Sequence, residues 1–139
     1  MQFRKKKITI LNIAAVALVL AATLSSILAV YPVSAQQETK ASIVSGASTM
    51  GDKSFSPNPI NVKVGDTVTW TNNDGQAHTI TSGTGPNDPN KGKDFNSSPG
   101  FNPLLVPGKT FSHKFTKVGE FPYFCQLHPS SVGKVVVSS

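Results

Sequence analysis

Apolar and polar side chains alternate at a period of two along much of this chain. Ile60, Val62 and Val64 interleave with Asn61 and Lys63, and Val68 and Trp70 interleave with Thr67, Thr69 and Thr71. Successive side chains of a strand point to opposite faces, so this pattern predicts half-buried strands. A long apolar stripe at the helical spacing of about 3.6 residues is missing from the same region, which argues against a helical bundle. Turn residues punctuate the strands. Gly65-Asp66 separates the first two runs and reads as a hairpin turn, and Asn72-Asn73-Asp74-Gly75 turns the chain again.

Further strands follow from the same reasoning. Ala41-Ser42-Ile43-Val44 is a first, weak strand, followed by a stretch to Pro57 that contains glycine and serine and reads as flexible. Ala77 to Thr81 reads as a strand carrying His78. Ser82 to Gly108 is rich in Gly, Pro, Asn and Ser and reads as a long connection, anchored by Phe95, Phe101 and Leu104-Leu105-Val106. It has room for a short strand or a helical turn. Thr110 to Phe115 alternates, Glu120 to Phe124 is aromatic, and Val132 to Val137 is a branched apolar strand. About seven or eight strands on this pattern predict an all-β Greek-key β-sandwich.

The first thirty-five residues stand apart. Arg4-Lys5-Lys6-Lys7 is a positive start, Ile8 to Tyr31 is mostly apolar, and Val33-Ser34-Ala35 offers small residues for cleavage before Gln36. Residues 1–35 therefore read as a signal peptide, with an uncleaved membrane anchor through residues 8–31 as the alternative. Export to a periplasmic or extracellular face is expected. Residues 36–139 then form one domain with a single modest core. Four of the thirteen basic residues lie at positions 4–7, so the formal charge of +6 mostly leaves with the export segment. Nine basic and seven acidic residues remain. Basicity that small, with no arginine stripe, gives no case for nucleic-acid binding.

Cys125 is the only cysteine, so an oxidising compartment would receive a free thiol with no partner in the chain. It stands three residues before His128 in Phe121-Pro122-Tyr123-Phe124-Cys125-Gln126-Leu127-His128, with His78 upstream in Ala77-His78-Thr79-Ile80. A lone cysteine beside Phe124 and Leu127 also reads as a small buried hydrophobe, and a lone histidine says little. Together, one thiolate and two imidazoles suit copper, because the soft thiolate favours Cu(I) and imidazoles accept both oxidation states. His113 alternates with Phe111 and Phe115 and is expected to be a partly buried structural histidine. Asn96-Ser97-Ser98 matches a glycosylation acceptor, a pattern too short to establish modification. No acid–base constellation accompanies the cysteine and histidines, so an enzyme is not expected.

Two runs carry a specific resemblance. Asp66-Thr67-Val68-Thr69-Trp70-Thr71-Asn72-Asn73-Asp74 with His78-Thr79, and Gly119-Glu120-Phe121-Pro122-Tyr123-Phe124-Cys125-Gln126-Leu127-His128-Pro129, resemble the plastocyanin/amicyanin blue copper proteins of microbial secreted type. The resemblance covers the chain from about Ser54 onward and implies a cupredoxin sandwich that carries single electrons between redox partners. It implies one copper per chain held by His78, Cys125 and His128, with Ser131 where the family has an axial methionine. Met50 is the only methionine besides Met1 and lies far from that axial position in sequence. Asn72 and Thr79 match positions that tie the ligand loops together, although ordinary turn and strand bonding would also account for them. Leu127 and Pro129 match an apolar collar around the edge of His128, through which family members meet partners. The expected partners of this expected monomer are redox proteins such as a membrane oxidase or reductase. The alternatives are a secreted copper-binding or copper-delivery protein with a three-ligand site, and a metal-free structural module.

Overall fold

The computed structural model describes residues 35–139. The expected signal or anchor segment lies outside them, apart from Ala35. Among the described residues no helix is long and apolar enough to cross a membrane. Eight strands form among the described residues: β1 (Glu38–Ile43), β2 (Phe55–Ser56), β3 (Ile60–Lys63), β4 (Thr67–Asn72), β5 (Thr81–Ser82), β6 (Thr110–Lys114), β7 (Gly119–Phe124) and β8 (Val132–Ser138). They make two four-stranded sheets, ordered β2-β1-β4-β6 and β3-β8-β7-β5. The all-β sandwich predicted from the alternation is therefore present.

The alternation also sets which side chains form the core. Ile60 and Val62 of β3 are buried while Asn61 and Lys63 are exposed, and Val68, Trp70 and Asn72 of β4 are buried between half-buried threonines. Trp70, fully buried, lies among aromatic neighbours: Phe95 at 5.8 Å and Phe111 at 5.9 Å are stacked, and Tyr123 at 5.5 Å meets it edge-on. Its indole N–H donates to the Tyr123 hydroxyl at 3.2 Å, so the polar atoms of both rings are satisfied inside the core.

Several sequence expectations need correction. The runs on either side of Gly65-Asp66 are not a hairpin: β3 pairs in parallel with β8, whereas β4 pairs in parallel with β1 and antiparallel with β6. Both runs face one core, but from opposite sheets. The turn crosses between the sheets because Gly65 takes φ 98° and the Asp66 carboxylate accepts the Lys63 N–H and the Gln37 N–H, each at 2.9 Å. The segment expected to be flexible holds two 3₁₀ turns, Ala47–Thr49 and Gly51–Lys53, followed by β2. Its anchor is Ala47, fully buried, whose carbonyl accepts the Ser54 hydroxyl at 2.6 Å.

His78 also lies outside the strand assigned to it. Only Thr81–Ser82 is a strand there, and His78 is held instead by an isolated antiparallel bridge to Leu105. In the long connection Phe95 and Leu105 are buried anchors, while Phe101 and Val106 are exposed. It contains one 3₁₀ turn, Pro99–Phe101. His113 is half-buried against Phe95 at 5.0 Å and Phe115 at 4.8 Å, as the face it shares with Phe111 and Phe115 implied, and burial pushes its pKa down. Asn96 is half-buried, and its side-chain oxygen accepts from the Thr81 hydroxyl and the Ser98 N–H.

Candidate metal centre

One ligand atom from each of His78, Cys125 and His128 lies within 4.8 Å of the others. His78 and Cys125, 47 positions apart in the chain, meet because the two segments are strapped together. The Thr79 N–H donates to Cys125 Sγ at 3.3 Å, the Gln126 N–H donates to Thr79 Oγ1 at 2.8 Å, and the Gln126 amide donates to Thr81 Oγ1 at 3.0 Å. Thr79 thus bonds the sulfur and fixes its loop at once. The loop also closes on itself: the Cys125 N–H donates to the Ser131 carbonyl at 3.1 Å, the His128 N–H to the Cys125 carbonyl at 3.2 Å, and the Ser131 N–H to the His128 carbonyl at 2.8 Å.

Asn72 works on the other segment. Its amide donates to the carbonyls of Gln76 and Leu105, both at 2.7 Å, and its oxygen accepts the Asp74 N–H at 2.8 Å. No hydrogen bond from Asn72 reaches the thiolate; it shapes the turn that delivers His78. The Leu105 carbonyl also accepts the His78 N–H at 3.0 Å.

Electrostatics within the cluster favour a thiolate. Burial resists ionisation of Cys125, yet the neighbouring His78 ring, the Thr79 N–H and His128 outweigh it and pull its pKa down to about 6. For His78 burial opposes protonation, while Cys125 and Asp74 raise its pKa. Asp74 is held below the usual carboxylate range, first by the Gly46 N–H and then by His78. The sequence reading missed Asp74, which it took for a turn residue; its carboxylate stands 2.7 Å from His78 Nε2.

That contact leaves His78 Nδ1 as a buried nitrogen without a hydrogen-bond partner. An unsatisfied buried polar atom costs about 1–3 kcal/mol. A bound cation would offset the cost by taking the nitrogen's lone pair. A thiolate with two imidazoles fits copper, and the same atoms suit zinc. His128 completes the cluster with its Nδ1 at 3.7 Å from Cys125 Sγ and its ring centroid 4.9 Å from that of His78. His128 is half-buried, whereas His78 and Cys125 are fully buried.

Two facing sheets with a buried His/Cys/His cluster define a cupredoxin-like protein. A model of copper-binding proteins of the plastocyanin/azurin family matches residues 41–138. The chain belongs to that family. It is 38% identical over 85 residues to the chloroplastic plastocyanin of Tetradesmus obliquus, a match covering 60% of this chain and 57% of that protein. It is 35% identical over 83 residues to amicyanin-alpha of Methylorubrum extorquens, covering 60% and 63% respectively. The matches span less than two thirds of these two relatives' own lengths. Among solved structures, a purple cupredoxin from Nitrosopumilus maritimus superposes with a TM-score of 0.60 at 36% identity, covering 72% of this chain and 99% of that one.

Proposed function

We propose that this chain is a one-electron carrier that works outside the cytoplasm, with a single copper held by His78, Cys125 and His128. The observation that carries the reading is the buried, unpartnered Nδ1 of His78 in a cluster with a thiol pulled toward ionisation. Copper would supply the Cu(I)/Cu(II) couple. The chain's own residues hold the donors on hydrogen-bonded loops, so that little has to move between oxidation states. The half-buried His128 is followed by exposed Pro129 and preceded by Leu127, which is 39% exposed, an apolar collar suited to brief contact with a redox protein such as a membrane oxidase or reductase. The signal peptide or membrane anchor expected from the sequence of residues 1–35 supports the location.

Copper loading of the full chain tests the reading. An intense thiolate-to-copper band, a Cu(II) spin-resonance signal and reversible reduction by small redox partners are expected. Stable Cu(I) that resists oxidation but passes to a chelator would shift the role to copper delivery, and no copper binding would leave a structural module.

Ser131 gives the delivery reading its own support, because it stands where the resemblance puts the axial methionine. Its hydroxyl is fully buried and donates to the Ala47 carbonyl at 2.8 Å, tying the ligand loop to the 3₁₀ segment. With that hydroxyl directed at the carbonyl, three protein ligands remain for the copper site, His78, Cys125 and His128. Ser131→Ala is expected to lower stability by about 1 kcal/mol, the worth of one such bond, because the Ala47 carbonyl keeps the Ser54 hydroxyl and the Met50 N–H as partners. The Cu(II) spectrum is expected to stay unchanged. Urea unfolding and visible spectroscopy check the pair, and a changed spectrum would make Ser131 a ligand.

A further inference from the structure

The contact between Asp74 and His78 has the form of a carboxylate gripping a metal-binding imidazole from behind. Asp74 is 7% exposed, and its Oδ2 lies 2.7 Å from His78 Nε2. Its other oxygen, Oδ1, accepts the Gly46 N–H at 2.9 Å and the Gly75 N–H at 2.8 Å, and its own N–H donates to Asn72 at 2.8 Å. The carboxylate is thus fixed by groups independent of the imidazole it faces. An ionised carboxylate only accepts hydrogen bonds, so the proton of the neutral ring must sit on Nε2. That leaves the lone pair on Nδ1, the unpartnered atom of the cluster.

We propose that Asp74 is a positioning residue of the copper site: it locks His78 in the tautomer that presents Nδ1, and its negative charge weights the site toward Cu(II). Carboxylates behind metal-bound histidines fix ring orientation and raise ligand basicity. A more basic ligand and a nearby negative charge both stabilise the more highly charged ion. The proposal rests on the copper reading above and extends it to a residue that touches no metal.

Asp74→Asn in the full chain is the discriminating variant. It is isosteric, and with Oδ1 still accepting from Gly46 and Gly75 it turns an amide donor toward the protonated Nε2. Donor then faces donor, and the ring must rotate or shift its proton to Nδ1. Cu(II) affinity, measured by chelator competition, is expected to fall about 10–100-fold, as for other outer partners of metal ligands. Cu(I) affinity falls less, and each tenfold difference between the two raises the reduction potential by about 59 mV. A role confined to folding would lower the stability of the metal-free protein without moving the potential.

Wild-type affinity and potential in the variant would overturn the proposal while leaving the copper site intact. Should the variant not fold, side-chain nitrogen resonances of the wild-type Cu(I) protein decide instead. Protonated Nε2 with Nδ1 bound supports Asp74, and the reverse overturns it. Failure of the wild-type protein to bind copper would remove the functional reading first, and this proposal with it.

Discussion

Cys125→Ala is expected to abolish stoichiometric copper binding and with it the intense visible band, while the sandwich stays folded. The two outcomes separate because Cys125 sits just beyond β7 and outside the hydrophobic core cluster: its sulfur faces the Thr79 N–H and His128. Losing the sulfur removes the only soft donor and leaves two imidazoles with no anionic partner. The loss should exceed the roughly 10–100-fold typical of residues that merely support a ligand. It also removes a buried group whose ionisation burial opposes, so the metal-free fold loses little. Metal analysis after loading and desalting, together with the visible spectrum and a thermal melt, checks all three parts. One copper per chain retained by the variant would show that Cys125 is not the ligand.

Gly133→Ala is expected to be the most destabilising glycine-to-alanine change among the described residues. An added Cβ would overlap Cζ and the hydroxyl of Tyr123, which is 1% exposed. The Tyr123 ring cannot swing aside, because Phe55 at 4.8 Å and Trp70 at 5.5 Å enclose it and its hydroxyl accepts the Trp70 N–H. Gly133 and Tyr123 are direct partners in the β7–β8 ladder, so relief would require the sheet itself to part. Overpacking at such a site costs about 3 kcal/mol. For a domain of about 100 residues that lowers Tm by roughly 12 °C or more. A fall of only a degree or two would mean that the tyrosine pocket yields, contrary to its packing.

The strands were legible because burial alternates residue by residue, and alternation is a local property. Their pairing was not. A run such as Ile60–Lys63 looks the same whether its neighbour lies beside it or across the core, and only the distant contact with β8 decides. Parallel pairing of β1 with β4 has no turn between them to announce it. The stretch to Pro57 read as flexible from glycine and serine, but Ser54 is spent on the carbonyl of the buried Ala47.

At the site, Cys125 and His128 could be paired from residue type and spacing, His78 was added as an upstream donor matched by the family resemblance, and the structure brings the three together. Asp74 could not be found the same way. Its contact with His78 spans four residues of irregular chain, where no periodicity says which side chains meet; an acidic residue so close to a suspected ligand was the one available signal.

The outer strands of both sheets have a bearing on how this protein behaves at high concentration. β2 and β5 have two residues each, β3 has four and β6 has five, so none offers a long row of free backbone groups to another molecule. The two longer ones end in Lys63 and Lys114, both exposed, which would bring like charges together if two copies tried to join edge to edge. Short, charged edges of this kind are how β proteins avoid growing into fibres. The longest of the described strands, β8, with seven residues of mostly branched apolar sequence, is the most adhesive of the eight, and it is shielded between β3 and β7.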